Sequence, residues 1–147
     1  MQLKELEEYL HDHIPLSRAM QVSVVQAEYD IVKLSAPLAP NINHRETVFG
    51  GSASAVAILA AWTILYVRLQ QEGLYSRVVI QRNQVSYDKP IAGDFHAIAK
   101  LVDDERWQKF VKQLRRHHRA RISVTSVLEF EGQPVGSMTG DFVAINK

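Results

Sequence analysis

The chain has 147 residues, 46% of them apolar and 22% charged, ordinary values for a soluble globular protein with a core of its own, and it is read as a single domain over 1–147. Formal net charge is +1, so the molecule as a whole does not draw in polyanions and any basic effect is local. The absence of cysteine excludes disulfides, thiolate nucleophiles and cysteine metal sites.

The start, M-Q-L-K-E-L-E-E-Y-L, is too charged for a signal peptide, so a cytoplasmic protein is expected. Leu3, Leu6, Leu10 and Ile14 recur at helical spacing with acids between them, which predicts a short amphipathic helix. Pro15 places its end near His13 or Ile14. His11 and His13 fall at its wet or half-wet edge, in a structural role. Gln21 to Pro37 reads as strand, one long or two short, with Gln26-Ala27-Glu28 marking a bend or bulge. Pro37 and Pro40 open a polar loop that runs into Gly50 and Gly51.

A helix is predicted from about Gly51 to Glu72, with Gly73 as its C-terminal cap. From Ala53 to Val67 it carries no charged side chain, so most of its circumference needs burial. That stretch falls short of the roughly 20 apolar residues of a membrane span. Val78 to Tyr87 and Phe95 to Val102 read as neighbouring antiparallel strands joined by a turn at Asp88-Lys89-Pro90. Trp107, Phe110, Val111 and Leu114 define a helix over Asp103–Leu114, capped by Asp103 or Asp104. Ile122 to Glu131 and Val135 to Ile145 are the last strands, turning at Gly132, with Gly136 and Gly140 marking bends or close packing. One apolar helix wrapped by a curved antiparallel sheet satisfies its burial, so the fold class is α+β.

Three sets of residues carry a resemblance. They are Asn43-His44-x-x-Thr47-x-Phe49-Gly50-Gly51-Ser52, then Tyr87-x-x-Pro90-x-x-Gly93-Asp94, then Gly140-x-Phe142-Val143. In this order and spacing they resemble the hotdog superfamily, a curved antiparallel sheet around a central helix. Closer in, the chain is similar to the YiiD C-terminal-like thioesterase domain, found alone in some bacteria and fused behind an acetyltransferase-like domain in others. The resemblance implies homodimers, often joined into homotetramers, with the sheets of two subunits side by side and active sites between subunits at the helix start. It implies thioesters of coenzyme A or acyl carrier protein as substrates, and no cofactor beyond that coenzyme.

The resemblance implies a site at the helix start and in the segment just before it, and chemistry says what each residue there would do. Amides at a helix start lack partners inside the helix, and with the helix dipole they favour negative charge. Gly50, Gly51 and Ser52 would hold the oxyanion of a thioester under attack by water, and glycine lets the carbonyl come close; simple loop-to-helix packing is the alternative. His44 is a candidate to take a proton from water or bond the thioester oxygen, and Asn43 to orient water or acyl group; for both, bracing of the loop is the alternative. Thr47 reads mainly as a brace. Many hotdog thioesterases carry an acid about two turns into the central helix, whereas seven residues past Gly51 this chain has Ile58. That departure leaves Glu46, Asp88 and His44 as nearby bases, counts against a dehydratase, and makes acyl binding without turnover the first alternative to hydrolysis, with a hydratase or isomerase acting on acyl thioesters as a further one. Ser54 offers a hydroxyl with no local base. Asn83 shares a strand side with Val85 and Tyr87, a polar group on an apolar wall, or an interface bond. Phe49, Val56, Leu59, Ala60, Val85 and Tyr87 are the expected acyl pocket. The small residues Ser54, Ala55 and Ala57 leave room for a chain or allow close sheet packing. Arg115, Arg116 and Arg119 either grip phosphates of the substrate or form a solvated surface. No nucleic-acid module accompanies them. His117 and His118 alone do not make a metal site.

Overall fold

A computed structural model describes residues 2–147. The chain begins with α1 (Leu3–His13) and α2 (Pro15–Ala19), broken at Ile14 ahead of Pro15. Leu6 and Leu10 are buried, whereas Leu3 at the end of the seam stays exposed. Of the two arrangements expected for this segment, the two short strands are found: β1 (Ser23–Ala27) and β2 (Ile31–Ala36) form a hairpin, because Glu28 N–H bonds the Ile31 carbonyl and turns the chain. A register shift between Val24 and Gln26 breaks the alternation just before that turn.

The central helix α3 (Gly50–Gln71) has 22 residues. It ends in a Schellman arrangement: Leu74 N–H reaches the Leu69 carbonyl, Gly73 N–H reaches the Gln70 carbonyl, and Gly73 takes φ +71°. By length and composition it is apolar enough to cross a membrane, longer than the charge-free stretch suggested. Its surroundings decide otherwise. It packs against β2, β3 (Ser76–Tyr87), β4 (Phe95–Lys100), β5 (Arg119–Phe130) and β6 (Gln133–Asn146), and most of its circumference is core. Ala53, Ala57, Ala60 and Ala61 are fully covered, and Ser126 on β5 comes close enough to donate to the Ala57 carbonyl at 2.7 Å. At the far end of α3, Arg68 is 1% exposed. It donates to the Tyr29 and Leu101 carbonyls and lies between the Tyr29 and Trp107 rings.

The six strands lie in the order β1-β2-β4-β5-β6-β3, each antiparallel to its neighbours. This corrects the expected pairing of β3 with β4. β3 is an edge strand on β6, while β4 sits between β2 and β5. The segment from Asp88 to Asp94 is therefore no hairpin turn but a strap across one end of the sheet. Asp88 and Lys89 donate to the Val135 carbonyl, Val48 donates to the Ile91 carbonyl, and Asp94 accepts from Leu38. The crossing is needed because β5 and β6 lie between β4 and β3 in the sheet. In β3 a bulge between Ile80 and Arg82 shifts the alternation by one residue, so Asn83, Val85 and Tyr87 continue the face of Val78 and Ile80. α4 (Asp104–His117) is capped by Asp103, which accepts from Arg106 N–H, and runs into the basic stretch. There the positive side chains meet the negative end of the helix dipole.

Candidate active site at the start of the central helix

The loop before α3 is a small closed unit. Ile42 and Val48 form an antiparallel bridge. Inside it Asn43 uses its whole side-chain amide locally. Its Nδ2 donates to Thr47 Oγ1 at 2.9 Å, and its Oδ1 accepts from Arg45 N–H at 2.8 Å and Thr47 N–H at 3.1 Å. Asn43 and Thr47 thus brace the loop. His44 and Glu46 project from it, both exposed, with Glu46 at φ +64°. Phe49 N–H then bonds the Asn41 carbonyl at 2.7 Å, fixing where the helix starts.

The first helical hydrogen bond is donated by Ala53 to the Phe49 carbonyl, so the amides of Gly50, Gly51 and Ser52 precede the helix's own acceptors. No side chain caps this end. A Cβ on Gly51 would stand 2.4 Å from Phe49 Cε2, so the ring of Phe49, itself 58% exposed, rests on the space that glycine leaves. On the other side Tyr87 donates its hydroxyl to the Gly50 carbonyl at 3.0 Å. Ser54 Oγ donates back to the Gly51 carbonyl and is tied to its own helix.

A cavity of about 300 Å³ opens at this helix start, between Gly51, Ser52 and Ala55 on one side and Leu16, Met20 and Asn41 on the other. A second, apolar cavity of about 240 Å³ adjoins it, sharing Ala55, Leu16 and Met20 and lined further by Ile58, Leu59 and Trp62. Ile58, where an acid was sought, is part of that hydrocarbon wall. The small residues divide between the two readings: Ala55 makes room, and Ala57 packs on the sheet. Of the expected pocket residues, Leu59 and Phe49 line the two cavities, whereas Val56 and Ala60 point into the core.

Other sequence-selected residues lie around or away from this point. Asn83 and Asp88 are exposed on and just beyond β3, without a side-chain hydrogen bond to the helix start. Arg115 pairs with Glu72 at 3.2 Å, just past the other end of α3 and about 30 Å from Gly51 along the helix. Arg116 and Arg119 are exposed beside it, so the fold of the chain does not bring the basic run to the helix start. Among the described residues no three His, Asp or Glu side chains gather as metal ligands. Sequence reasoning missed the opposite wall. Leu16 and Met20 stand four apart, a helical pair whose signal the Pro15 break obscured. It also missed Asn41, 2% exposed, whose Nδ2 donates to the Met20 and Pro37 carbonyls and ties that wall to the loop.

Comparison with known proteins agrees with this architecture. A protein of unknown function from Chlorobaculum tepidum TLS superposes with a TM-score of 0.92 at 29% identity, over 98% of this chain and 94% of its own. The "putative thioesterase" from Shewanella oneidensis superposes at 0.87 and 24% identity, over 97% and 96%. A thioesterase from Haemophilus influenzae shares the fold at 0.76 and 12% identity, over 99% and 92%. The family described as "Putative thioesterase (yiiD_Cterm)" matches residues 3–146. A six-stranded antiparallel sheet around one long helix, matched to that family from end to end, makes this chain a hotdog-fold member of the YiiD C-terminal thioesterase family.

Proposed function

We propose that the protein hydrolyses acyl thioesters of coenzyme A or acyl carrier protein. The observation that carries this reading is the uncapped, glycine-opened start of α3 facing the mouth of an apolar cavity. The thioester carbonyl oxygen lies against the Gly51 and Ser52 amides and the acyl chain runs into the cavity. Water adds to the carbonyl carbon, and the C=O π pair moves to oxygen, where the amides hold the charge. Collapse of that adduct breaks the C–S bond and releases the thiolate. His44, the imidazole on the loop feeding the helix, takes the water's proton and returns it to sulfur. The partner is a second copy paired along the free edge of β3, where Asn83, Val85 and Tyr87 continue the inner face. Light scattering should give twice the chain mass.

A specific observation favours a second reading, acyl binding without turnover: α3 carries no acid, and Ile58 fills the wall where one would act. Thiol release from a panel of acyl thioesters separates the two. Saturable release that falls at least about tenfold, roughly 1.4 kcal/mol of barrier, in His44→Ala supports hydrolysis at this loop. Tight binding with no release on any ester supports the second reading.

A further inference from the structure

The two cavities beside α3 adjoin one another and share Leu16, Met20 and Ala55 in their walls. Gly51, Ala55, Ile58 and Trp62 follow one another along a single stripe of the helix, and Leu16 and Met20 face both cavities from the N-terminal segment. The inner cavity stops at Trp62, with Ile14 beside it. That indole is fixed. Its Nε1–H donates to the Val78 carbonyl at 2.9 Å, and its ring stacks on Tyr66 at 5.3 Å. Tyr66 in turn stacks on Tyr9 at 4.7 Å, and Tyr9 on His13 at 4.0 Å. Beyond Trp62 lies a separate cavity of about 340 Å³, lined by Tyr66, Leu69 and Leu74 and also by Gln70, Arg77 and Lys147, and Trp62 lines it too. One side chain partitions two spaces.

We propose that Trp62 sets the acyl-chain length, admitting saturated chains of up to about ten carbons. This rests on the reading of the helix start as the thioester site. From Gly51 to Trp62 the helix rises about 16 Å, and van der Waals clearance at the indole leaves about 12 Å. An extended alkyl chain advances about 1.25 Å per carbon, so about ten carbons fit. The occupant is hydrocarbon because the inner cavity offers no free polar side chain; the one N–H on its wall is spent on Val78.

The test uses S-alkyl coenzyme A thioethers, which bind but cannot be hydrolysed, from about four to about sixteen carbons, with affinity expected to climb about fourfold per methylene that fits. Calorimetry should show the wild-type climb stopping at about ten carbons. In Trp62→Ala the two cavities join and the climb should continue to about fourteen. In Ala55→Phe the junction is filled and it should stop near four. Trp62→Phe keeps a ring in the partition and should keep the wild-type break. A Trp62→Ala profile with the wild-type break, in a protein that still melts cooperatively, overturns the proposal. If Trp62→Ala does not fold, an unmoved break in Ala55→Phe overturns it. Affinity independent of chain length, or no binding, does so too. So does a change of assembly size with an unmoved break, which would mean that the groove seats a second copy. Thiol release from the matching acyl thioesters is measured in parallel. A break that moves without any release keeps the length limit and removes hydrolysis. Release with a break that does not move does the reverse.

Discussion

Asn43 and His44 sit side by side on the loop before the helix, yet they do different physical work. Asn43 makes three hydrogen bonds within the loop. Asn43→Ala should therefore cost about 1–2 kcal/mol in urea unfolding. His44 is exposed, and His44→Ala should leave stability within about 0.5 kcal/mol while lowering thiol release. A fall in rate is therefore diagnostic of chemistry at His44 and not at Asn43. Gly51→Ala puts a methyl where the Phe49 ring rests and where the thioester would lie. The exposed ring can swing away, so stability should hold while release falls at least about tenfold. His96 belongs to stability rather than catalysis. Burial first, and Lys33 second, hold its imidazole below the usual value, against an opposing pull from Glu129. The folded state thus prefers the neutral ring, so stability is full above about pH 6.5 and falls as pH drops through the lowered folded value. A melting profile of His96→Gln against pH should be flatter on that acid side.

Among the elements, β3 and α3 carry the tightest constraints. Gly136 on β6 faces Tyr87 in register, and a Cβ there would stand 2.6 Å from the Ser86 carbonyl oxygen. That neighbour is backbone and cannot swing aside. Gly136→Ala should push β3 off β6 and destabilise by about 1–3 kcal/mol, read from thermal unfolding. Because β3 also carries Tyr87, whose hydroxyl holds the Gly50 carbonyl, the same change should loosen the helix start. At the other end of α3, Arg68 links the helix to the Tyr29 and Leu101 carbonyls. Arg68→Leu strands two buried acceptors and empties the space between two aromatic rings, for an expected loss of about 3–4 kcal/mol. Lysine should not rescue it, because a single ammonium cannot span both carbonyls and lie flat between Tyr29 and Trp107.

Across the whole molecule, local pattern carried the sequence reading a long way. The charge-free run from Ala53 to Val67 demanded a wrapper, and the wrapper is there. Helical spacing located α1 and α4, alternation located the last strands, and Gly73 closed α3 as a glycine at that position can. These are properties of neighbours a few residues apart, so the sequence alone determined them. Partners distant in the chain were another matter. β3 and β4 follow one another, yet β3 pairs with β6 and β4 with β2 and β5, because β5 and β6, far along the chain, take the places between them. Asn43 and Thr47 were legible as polar loop residues; which of their atoms were free was not. The floor at Trp62, the wall of Leu16 and Met20 and the remoteness of Arg115 exist only once α1 and α2 lie beside the helix and α4 beside its far end. The chain's periodicities fix which face of each element avoids water. Which elements share that dry space, and how much of it stays empty for a ligand, is set by packing between segments far apart in the chain, and only the tertiary structure decided it.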